Sequence, residues 1–123
     1  MNLVRQPKDS TLCGQACVAT LAGITLGKSI MFFGHKGRTR YKAVIQALHQ
    51  LGVDSGPGWK KGFPKCKTAV MLYRLDGEWT GSHWVVWHKK KYYDPAAGVF
   101  RKEPKWLKDS RVTSHLEVRC DTE

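Results

Sequence analysis

The stretch GSHWVVWHKKKYYDPAAG at residues 81–98 constrains the fold more than any other part of the sequence. Two runs rich in aromatic and β-branched residues, 82–88 and 91–94, flank a cluster of lysines, and this pattern is typical of two antiparallel strands joined by a turn. The lysines lack the Asn-Gly or the glycine that a two-residue loop prefers, so a bulge or a longer loop is an alternative. The sequence therefore predicts a hairpin whose register depends on that turn.

The register of this hairpin decides which polar side chains meet. If Trp87 pairs with Tyr92, then Val85 lies opposite Asp94, two residues further along each strand. In this register His83 and Asp94 share one face of the hairpin as diagonal neighbours, whereas a slip of one residue separates them.

The chain as a whole places helices first and strands afterwards. Helices are predicted where small and apolar residues recur every three or four positions, and strands where apolar and β-branched residues cluster. The predicted helices span 13–23 and 39–51, with a short helix near 104–108; the further strands span 69–75 and a segment near 115–119; glycine-rich loops span 27–37 and 54–67. This order indicates an α+β domain with N-terminal helices packed on an antiparallel sheet.

Length and cysteine usage bound the class of protein. The 123 residues suit a single domain over 1–123, which buries enough surface to fold without disulfides or metals. The cysteines Cys13, Cys17, Cys66 and Cys120 are scattered and form no paired motif, so we interpret them as reduced thiols. No stretch approaches the roughly 18 apolar residues of a membrane span, so we expect no membrane partner and a cytoplasmic location.

The chain carries a large excess of positive charge. Its formal net charge is +11, from 21 Lys and Arg against 10 Asp and Glu, and such a charge attracts nucleic acid, anionic surfaces or acidic proteins. The basic residues are spread over 36–42, 60–67, 89–91 and 101–108 and are not concentrated in one recognition element. We interpret them as a solvated basic surface, with nucleic acid as a less favoured partner.

Cys13 lies at the N-terminal edge of the first predicted helix. A thiol becomes a good nucleophile when a helix N-terminus and a neighbouring imidazolium stabilise its thiolate. Gly14 follows without a side chain and would leave the backbone open to a substrate. Cys17, four residues on, fits the alternative role of a buried structural cysteine better. Cys13 is therefore the candidate nucleophile.

His83 and Asp94 are the candidate partners of this thiol. If Asp94 accepts a hydrogen bond from one ring nitrogen of His83, the other nitrogen is left for the thiol, as in a catalytic triad. The alternatives are a strand histidine satisfied by its neighbours and an ordinary turn carboxylate before Pro95. Gln6, just upstream, carries an amide that could join the Cys13 backbone N–H in binding an oxyanion.

Four motifs stand in an order that resembles a known family. Gln6, CGQAC at 13–17, GSHWVVW at 81–87 and YYDPAAG at 92–98 occur as they do in the double-glycine leader peptidases, which are papain-like cysteine peptidases. The resemblance spans roughly residues 3–120. It implies a papain-like cysteine peptidase fold, in a stand-alone form of that family.

The resemblance also implies a role for each matching residue: Cys13 as nucleophile, His83 as base, Asp94 as orienting acid and Gln6 as oxyanion glutamine. The expected activity is hydrolysis of a peptide or isopeptide bond through a Cys13 thioester, in a peptide or protein substrate that a basic groove selects for acidity. Transfer to an amine is an alternative outcome of the same thioester. We expect no cofactor and no metal.

Two further hypotheses belong to other classes. A catalytically idle papain-like domain could bind nucleic acid or an acidic protein through its lysines and through Trp59, Trp79 or Trp106. A zinc site has enough candidate ligands, but their spacing differs from that of compact structural sites. Those ligands would be Cys13, Cys17, His83 and His88.

The walls of a substrate groove are predicted from loop length. The loops 27–37 and 54–67 are long and rich in glycine, and such loops set specificity in enzymes of this kind. Trp59 and Phe63, in the second loop, are expected to lie over the groove.

Overall fold

The computed structural model describes residues 1–76 and 81–119. Within them the chain forms α1 (Cys13–Ala22), α2 (Leu26–Phe33), α3 (Tyr41–Gln50), β1 (Asp54–Ser55), β2 (Lys60–Lys61), β3 (Thr68–Leu75), β4 (Gly81–His88), β5 (Lys91–Asp94), β6 (Gly98–Phe100), a 3-10 turn (Lys105–Leu107) and β7 (Arg111–Arg119). The predicted α+β class is confirmed. Trp79 and Cys120, which entered two of the predictions, lie outside the described residues.

The strands form one antiparallel sheet in the order β1-β7-β3-β4-β5-β6, and β2 also pairs with β7. β3 lies near the middle, with β4 on one side and β7 on the other. The last strand along the chain is therefore an interior strand of the sheet.

Each face of the sheet has its own core. One face packs against the helices, as predicted, through Val70, Trp84, Val86 and Leu116 on the sheet and Cys17, Val18, Leu21, Val44 and Leu48 on α1 and α3. The opposite face forms a smaller cluster of Met71, Tyr73, Val85 and Leu107. Successive residues of β4 alternate between the two clusters, as expected for a strand covered on both faces.

The β4–β5 hairpin adopts the predicted register. Trp87 pairs with Tyr92, and His88 pairs with Lys91, so the turn contains only two residues. Lys89 and Lys90 both have positive φ, 49° and 63°, as the twist of a two-residue hairpin turn requires. The alternatives of a bulge or a longer loop are therefore not adopted.

The predicted loop 27–37 is wrong over most of its length, because α2 (Leu26–Phe33) occupies it. The Thr25 side chain caps this helix by accepting from the Lys28 N–H at 3.2 Å, and Gly34 ends it in the left-handed conformation with φ 77°. The buried Ser29 hydroxyl donates to the Gln15 carbonyl of α1 at 2.7 Å. Gly27 lowers the helix propensity of this segment, and tertiary packing stabilises the helix in spite of it.

Other boundaries differ less. The predicted loop 54–67 contains two-residue strands, β1 and β2, which pair with β7. β7 begins at Arg111, four residues before the predicted strand near 115–119, and β6 (Gly98–Phe100) was not predicted. Short edge strands of this kind are formed by pairing with a neighbour and have little pattern of their own.

None of the helices in the described residues is by itself long and apolar enough to cross a membrane. α1 and α2, which are bent by 111° relative to each other, reach the required length and apolar composition only when they are taken together.

Gly14 lets α1 approach its neighbours closely. A Cβ at this position would collide with Thr39 Cγ2 and would lie 3.2 Å from Trp84 Cδ1. The predicted opening for a substrate is therefore filled by protein side chains. This close packing holds the start of α1, and with it Cys13, against β4.

We expect Gly14→Ala to lower the free energy of unfolding by about 1–2 kcal/mol, because the cost of overpacking exceeds the gain in helix propensity. Gly27→Ala is the matched control: it is also near the start of a helix, and nothing lies within 4 Å of its Cβ position. Urea unfolding measures both. Thr39→Ser removes the colliding methyl and should restore part of the loss, and a Gly14→Ala variant as stable as Gly27→Ala would contradict this explanation.

Candidate active site

Cys13 is the first residue of α1 and is buried, with 9% of its surface exposed. The N–H groups of a first helical turn have no partner within the helix, and they make this end of the helix electropositive. Ala16 N–H already bonds to the Leu12 carbonyl at 2.9 Å, so the turn is regular from its start. The thiol thus lies at a helix N-terminus, as predicted.

His83 and Asp94 meet across the hairpin as the register predicted. The His83 Nε2 atom lies 2.7 Å from the Asp94 Oδ1 atom. The His83 side chain is 6% exposed and the Asp94 side chain is fully buried. Cys13 and His83 line the same cavity, and Cys13 is close enough to raise the pKa of His83; Nδ1 is the ring nitrogen that the Asp94 contact leaves for the thiol. The structure therefore brings the three predicted residues together.

The imidazole of His83 is biased towards its protonated form. Burial by itself lowers the pKa of His83, but the hydrogen bonds with Asp94 and Cys13, together with their negative charges, outweigh burial and raise it to about 9. At neutral pH the ring is therefore an imidazolium between a buried carboxylate and a sulfur.

Asp94 is held by more groups than the sequence predicted. Oδ1 also accepts the Ala96 N–H at 2.9 Å, and Oδ2 accepts the Trp106 Nε1–H at 2.8 Å. The Trp106 ring packs edge-on against His83 at a centroid distance of 4.8 Å. A fully buried carboxylate is stable only with such donors. Trp106 therefore positions the acid and shields its bond to the imidazole.

Sequence reasoning missed Trp106 in this role and considered it only as an exposed binding residue. It lies in the 3-10 turn at Lys105–Leu107, in a different element from the hairpin. The sequence indicated only that a tryptophan lies in a short helix after the hairpin. This position does not specify the direction of the indole ring.

Gln6 reaches the same site through the N-terminal segment. Its backbone N–H donates to the Pro95 carbonyl at 3.0 Å, and its side-chain amide donates to the Ser10 carbonyl at 2.8 Å. Gln6 Oε1 is buried and has no hydrogen-bond partner within the described part of the chain. Gln6 lines the same cavity as Cys13 and His83, and its amide nitrogen also donates to the Ser10 hydroxyl at 3.4 Å.

A cavity of about 760 Å³ opens over the thiol and the imidazole. Besides Cys13 and His83, it is lined by the N-terminal segment and by residues from five other parts of the chain: Arg5, Gln6, Pro7, Lys8, Asp9, Ser10, Thr11, Arg38, Thr39, Leu75, Ser82, Trp84, Ala96, Ala97 and Trp106. The predicted wall loops 27–37 and 54–67 do not line it. The N-terminal segment, which the prediction left out, forms much of the cavity wall instead.

Trp59 and Phe63, predicted to cover the groove, pack elsewhere. Trp59 packs against Trp84 at a ring-centroid distance of 5.3 Å, on the helix side of the sheet. Phe63 packs edge-on against Trp87 at 5.0 Å. Neither lines the cavity.

The residues considered for a zinc site do not come together. In residues 1–76 and 81–119, no group of three or more His, Cys, Asp or Glu is placed to hold a metal ion. His88 lies on the sheet face opposite His83, and its Nδ1 is 2.7 Å from the Thr68 hydroxyl. Burial, with lesser contributions from Cys13 and Asp94, raises the pKa of Cys17 well above its ordinary value, as befits a structural thiol.

A search with family models finds no match to this chain, and a search of curated proteins finds none either.

Proposed function

We propose that this protein is a papain-like cysteine peptidase that cleaves a peptide or isopeptide bond through a thioester on Cys13. One observation carries the proposal: a thiol at a helix N-terminus shares a cavity with an imidazole, and a buried carboxylate holds that imidazole at 2.7 Å. A nucleophile, a base and an orienting acid brought together in this way are the signature of nucleophilic acyl transfer.

The proposed reaction follows from the positions of these groups. The Cys13 thiolate attacks the substrate carbonyl, and the carbonyl oxygen takes the negative charge. The Cys13 backbone N–H and the Gln6 amide are the donors proposed to bind that oxyanion. His83 then gives its proton to the leaving amine, which breaks the C–N bond and leaves a thioester. His83 next takes a proton from water, whose oxygen attacks the thioester and releases the acid and the thiolate.

The cavity and the fold also support this proposal. A helix carrying the cysteine packs on an antiparallel sheet whose strands carry the histidine and then the carboxylate, which is the layout the family resemblance implies. The cavity of about 760 Å³ falls within the range of sites that bind small ligands or a few residues of a peptide. An amine in place of water would give transfer from the same thioester.

Free thiols support the proposed cytoplasmic location. Cys13, Cys17 and Cys66 are all unpaired in the structure. Reducing compartments preserve such thiols, and a nucleophilic cysteine is active only in the reduced state.

The proposal predicts cleavage that depends on one cysteine. Wild-type protein incubated with a proteome-derived peptide library should generate new amino termini, and Cys13→Ala should generate none above background. Mass-spectrometric mapping of the termini measures this. Cys66→Ala is the matched control, because it removes a half-buried thiol that does not line the cavity.

Two results would count against peptidase activity. Equal cleavage by wild type and Cys13→Ala would assign the activity to a contaminant or to another residue. No cleavage by either, together with salt-dependent binding of nucleic acid or acidic protein that survives Cys13→Ala, would favour the idle binding domain.

A further inference from the structure

The wall of the cavity carries more positive than negative charge. Arg5, Lys8 and Arg38 contribute three cations, whereas Asp9 is the one carboxylate on the exposed wall. Asp94 does not offset them, because it is fully buried and its charge is matched by the imidazolium of His83. A substrate that enters the cavity therefore meets a net positive field.

Arg5 is fixed as part of this wall. Its Nε and Nη2 atoms donate to the carbonyl oxygens of Pro95 and Ala96 at 3.3 and 3.1 Å. Pro95 and Ala96 follow Asp94 directly along the chain, so Arg5 links the N-terminal segment to the loop after Asp94. Carbonyl partners leave the positive charge of Arg5 uncompensated.

Arg38 lines the cavity beside the start of β4, where Gly81 precedes His83 by two residues. Its guanidinium nitrogens are 3.7 and 3.9 Å from the Cβ position of Gly81, which is an ordinary van der Waals distance. Within residues 1–76 and 81–119, no carboxylate forms an ion pair with Arg38 or with Lys8. Arg38 and Lys8 are therefore available to bind a negatively charged group of a ligand.

We propose that the substrate presents a carboxylate to Arg38, with Lys8 reinforcing the field, close to the bond that Cys13 attacks. This inference rests on the proposed function and adds the charge class of its substrate. Guanidinium matches carboxylate geometry with two parallel hydrogen bonds, and the partly enclosed cavity strengthens the pair relative to open water. The carboxylate comes either from an acidic side chain or from a chain terminus.

Three electrophilic tripeptides distinguish these sources. Each ends in an aryl vinyl sulfone, which alkylates a reactive thiol, and they differ only in where a carboxylate stands. The first carries Glu next to the electrophile, the second carries Gln there, and the third carries Gln with a carboxylate on the aryl ring, where the terminus of a short leaving chain would lie. The measured quantity is the rate of Cys13 alkylation at about 0.1 M salt.

We expect one of the two acidic probes, either the Glu probe or the ring-carboxylate probe, to label Cys13 of the wild type about fivefold faster than the neutral probe does. One favourable charge pair allows an effect of this size. Preference for the Glu probe identifies a side chain as the source, and preference for the ring carboxylate identifies a terminus. Arg38→Gln should lose most of the preference, and Arg38→Lys should keep part of it. Added salt should reduce it.

Lys90→Gln is the control for general charge effects. It removes the same charge from the hairpin tip, about 20 Å along β4 from His83, which is beyond the Debye length of about 10 Å at 0.1 M salt. It should leave the ratio of the probe rates unchanged. Equal rates for all three probes, or a preference that survives in Arg38→Gln, would overturn the inference.

The neutral probe separates this inference from the proposed function. Labelling of Cys13 by that probe at a rate that does not depend on His83 contradicts the peptidase proposal itself. His83-dependent labelling with equal rates for the three probes contradicts only the preference for a carboxylate.

Discussion

Replacing His83 with glutamine is expected to slow the alkylation of Cys13 by iodoacetamide at pH 7 by about tenfold or more. The thiolate is the reactive species, and a thiol without a cationic partner is only a few per cent ionised at this pH. In wild type, the pKa of His83 is raised to about 9, so this cationic partner stays charged throughout the neutral range. A brief, limiting pulse of reagent, followed by peptide mapping, measures the rate at each cysteine.

The same experiment carries its own controls. His115 is another buried strand histidine, bonded to the Gly62 carbonyl at 2.7 Å and absent from the cavity wall, so His115→Gln should leave the Cys13 rate unchanged. Cys17, with its pKa raised by burial, should remain unlabelled in both proteins. A Cys13 that is inert in wild type, or that reacts equally fast in His83→Gln, would show that the thiolate–imidazolium pair does not form.

Replacing Asp94 with asparagine is expected to lower the free energy of unfolding by about 3 kcal/mol at pH 6. The carboxylate is fully buried and accepts hydrogen bonds from His83, Ala96 and Trp106, so the change leaves the imidazolium without its counter-ion. Asp54→Asn is the matched control, because Asp54 forms an exposed ion pair with Arg119 at 3.8 Å, and such pairs contribute about 1 kcal/mol or less.

The effect of Asp94 depends on pH, with a defined sign. The pKa of His83 rises from 6.5 in the unfolded chain to about 9 in the folded one, so the stabilisation is fully present below pH 6.5 and is lost as pH rises through 9. Wild-type stability should therefore decline between these values relative to Asp94→Asn, whose curve should be flatter. Parallel curves for the two proteins in urea titrations from pH 6 to 10 would refute the coupling.

The parts of the site that follow local patterns could be predicted from the sequence. The aromatic and β-branched runs on both sides of the lysines indicated two paired strands, and the structure has the considered register in which Trp87 pairs with Tyr92. That register is enough to bring Asp94 to His83. Small apolar residues placed Cys13 at the start of α1 in the same way.

The parts that depend on packing between distant segments could not be predicted. α2 contains a glycine near its start and exposes the apolar residues Met31 and Phe32. Its sequence therefore lacks the pattern that indicates a helix packed on a core. Trp106 reaches Asp94 across twelve positions of sequence, through a turn whose direction depends on the second core. The cavity wall at 5–11 is an irregular segment, and the hydrogen bonds of Arg5 and Gln6 to the loop after Asp94 hold it in place.

The interior position of β7 has a consequence for how the protein is made. Because β7 lies between β1 and β3, a nascent chain that has emerged only as far as residue 110 leaves the β3 edge unpaired. All three residues of the thiol–imidazole–carboxylate group have left the ribosome by then, yet the sheet that supports them is still open. An apolar strand edge is exposed to aggregation during that interval, so the yield of native protein depends on how quickly β7 inserts once it has emerged.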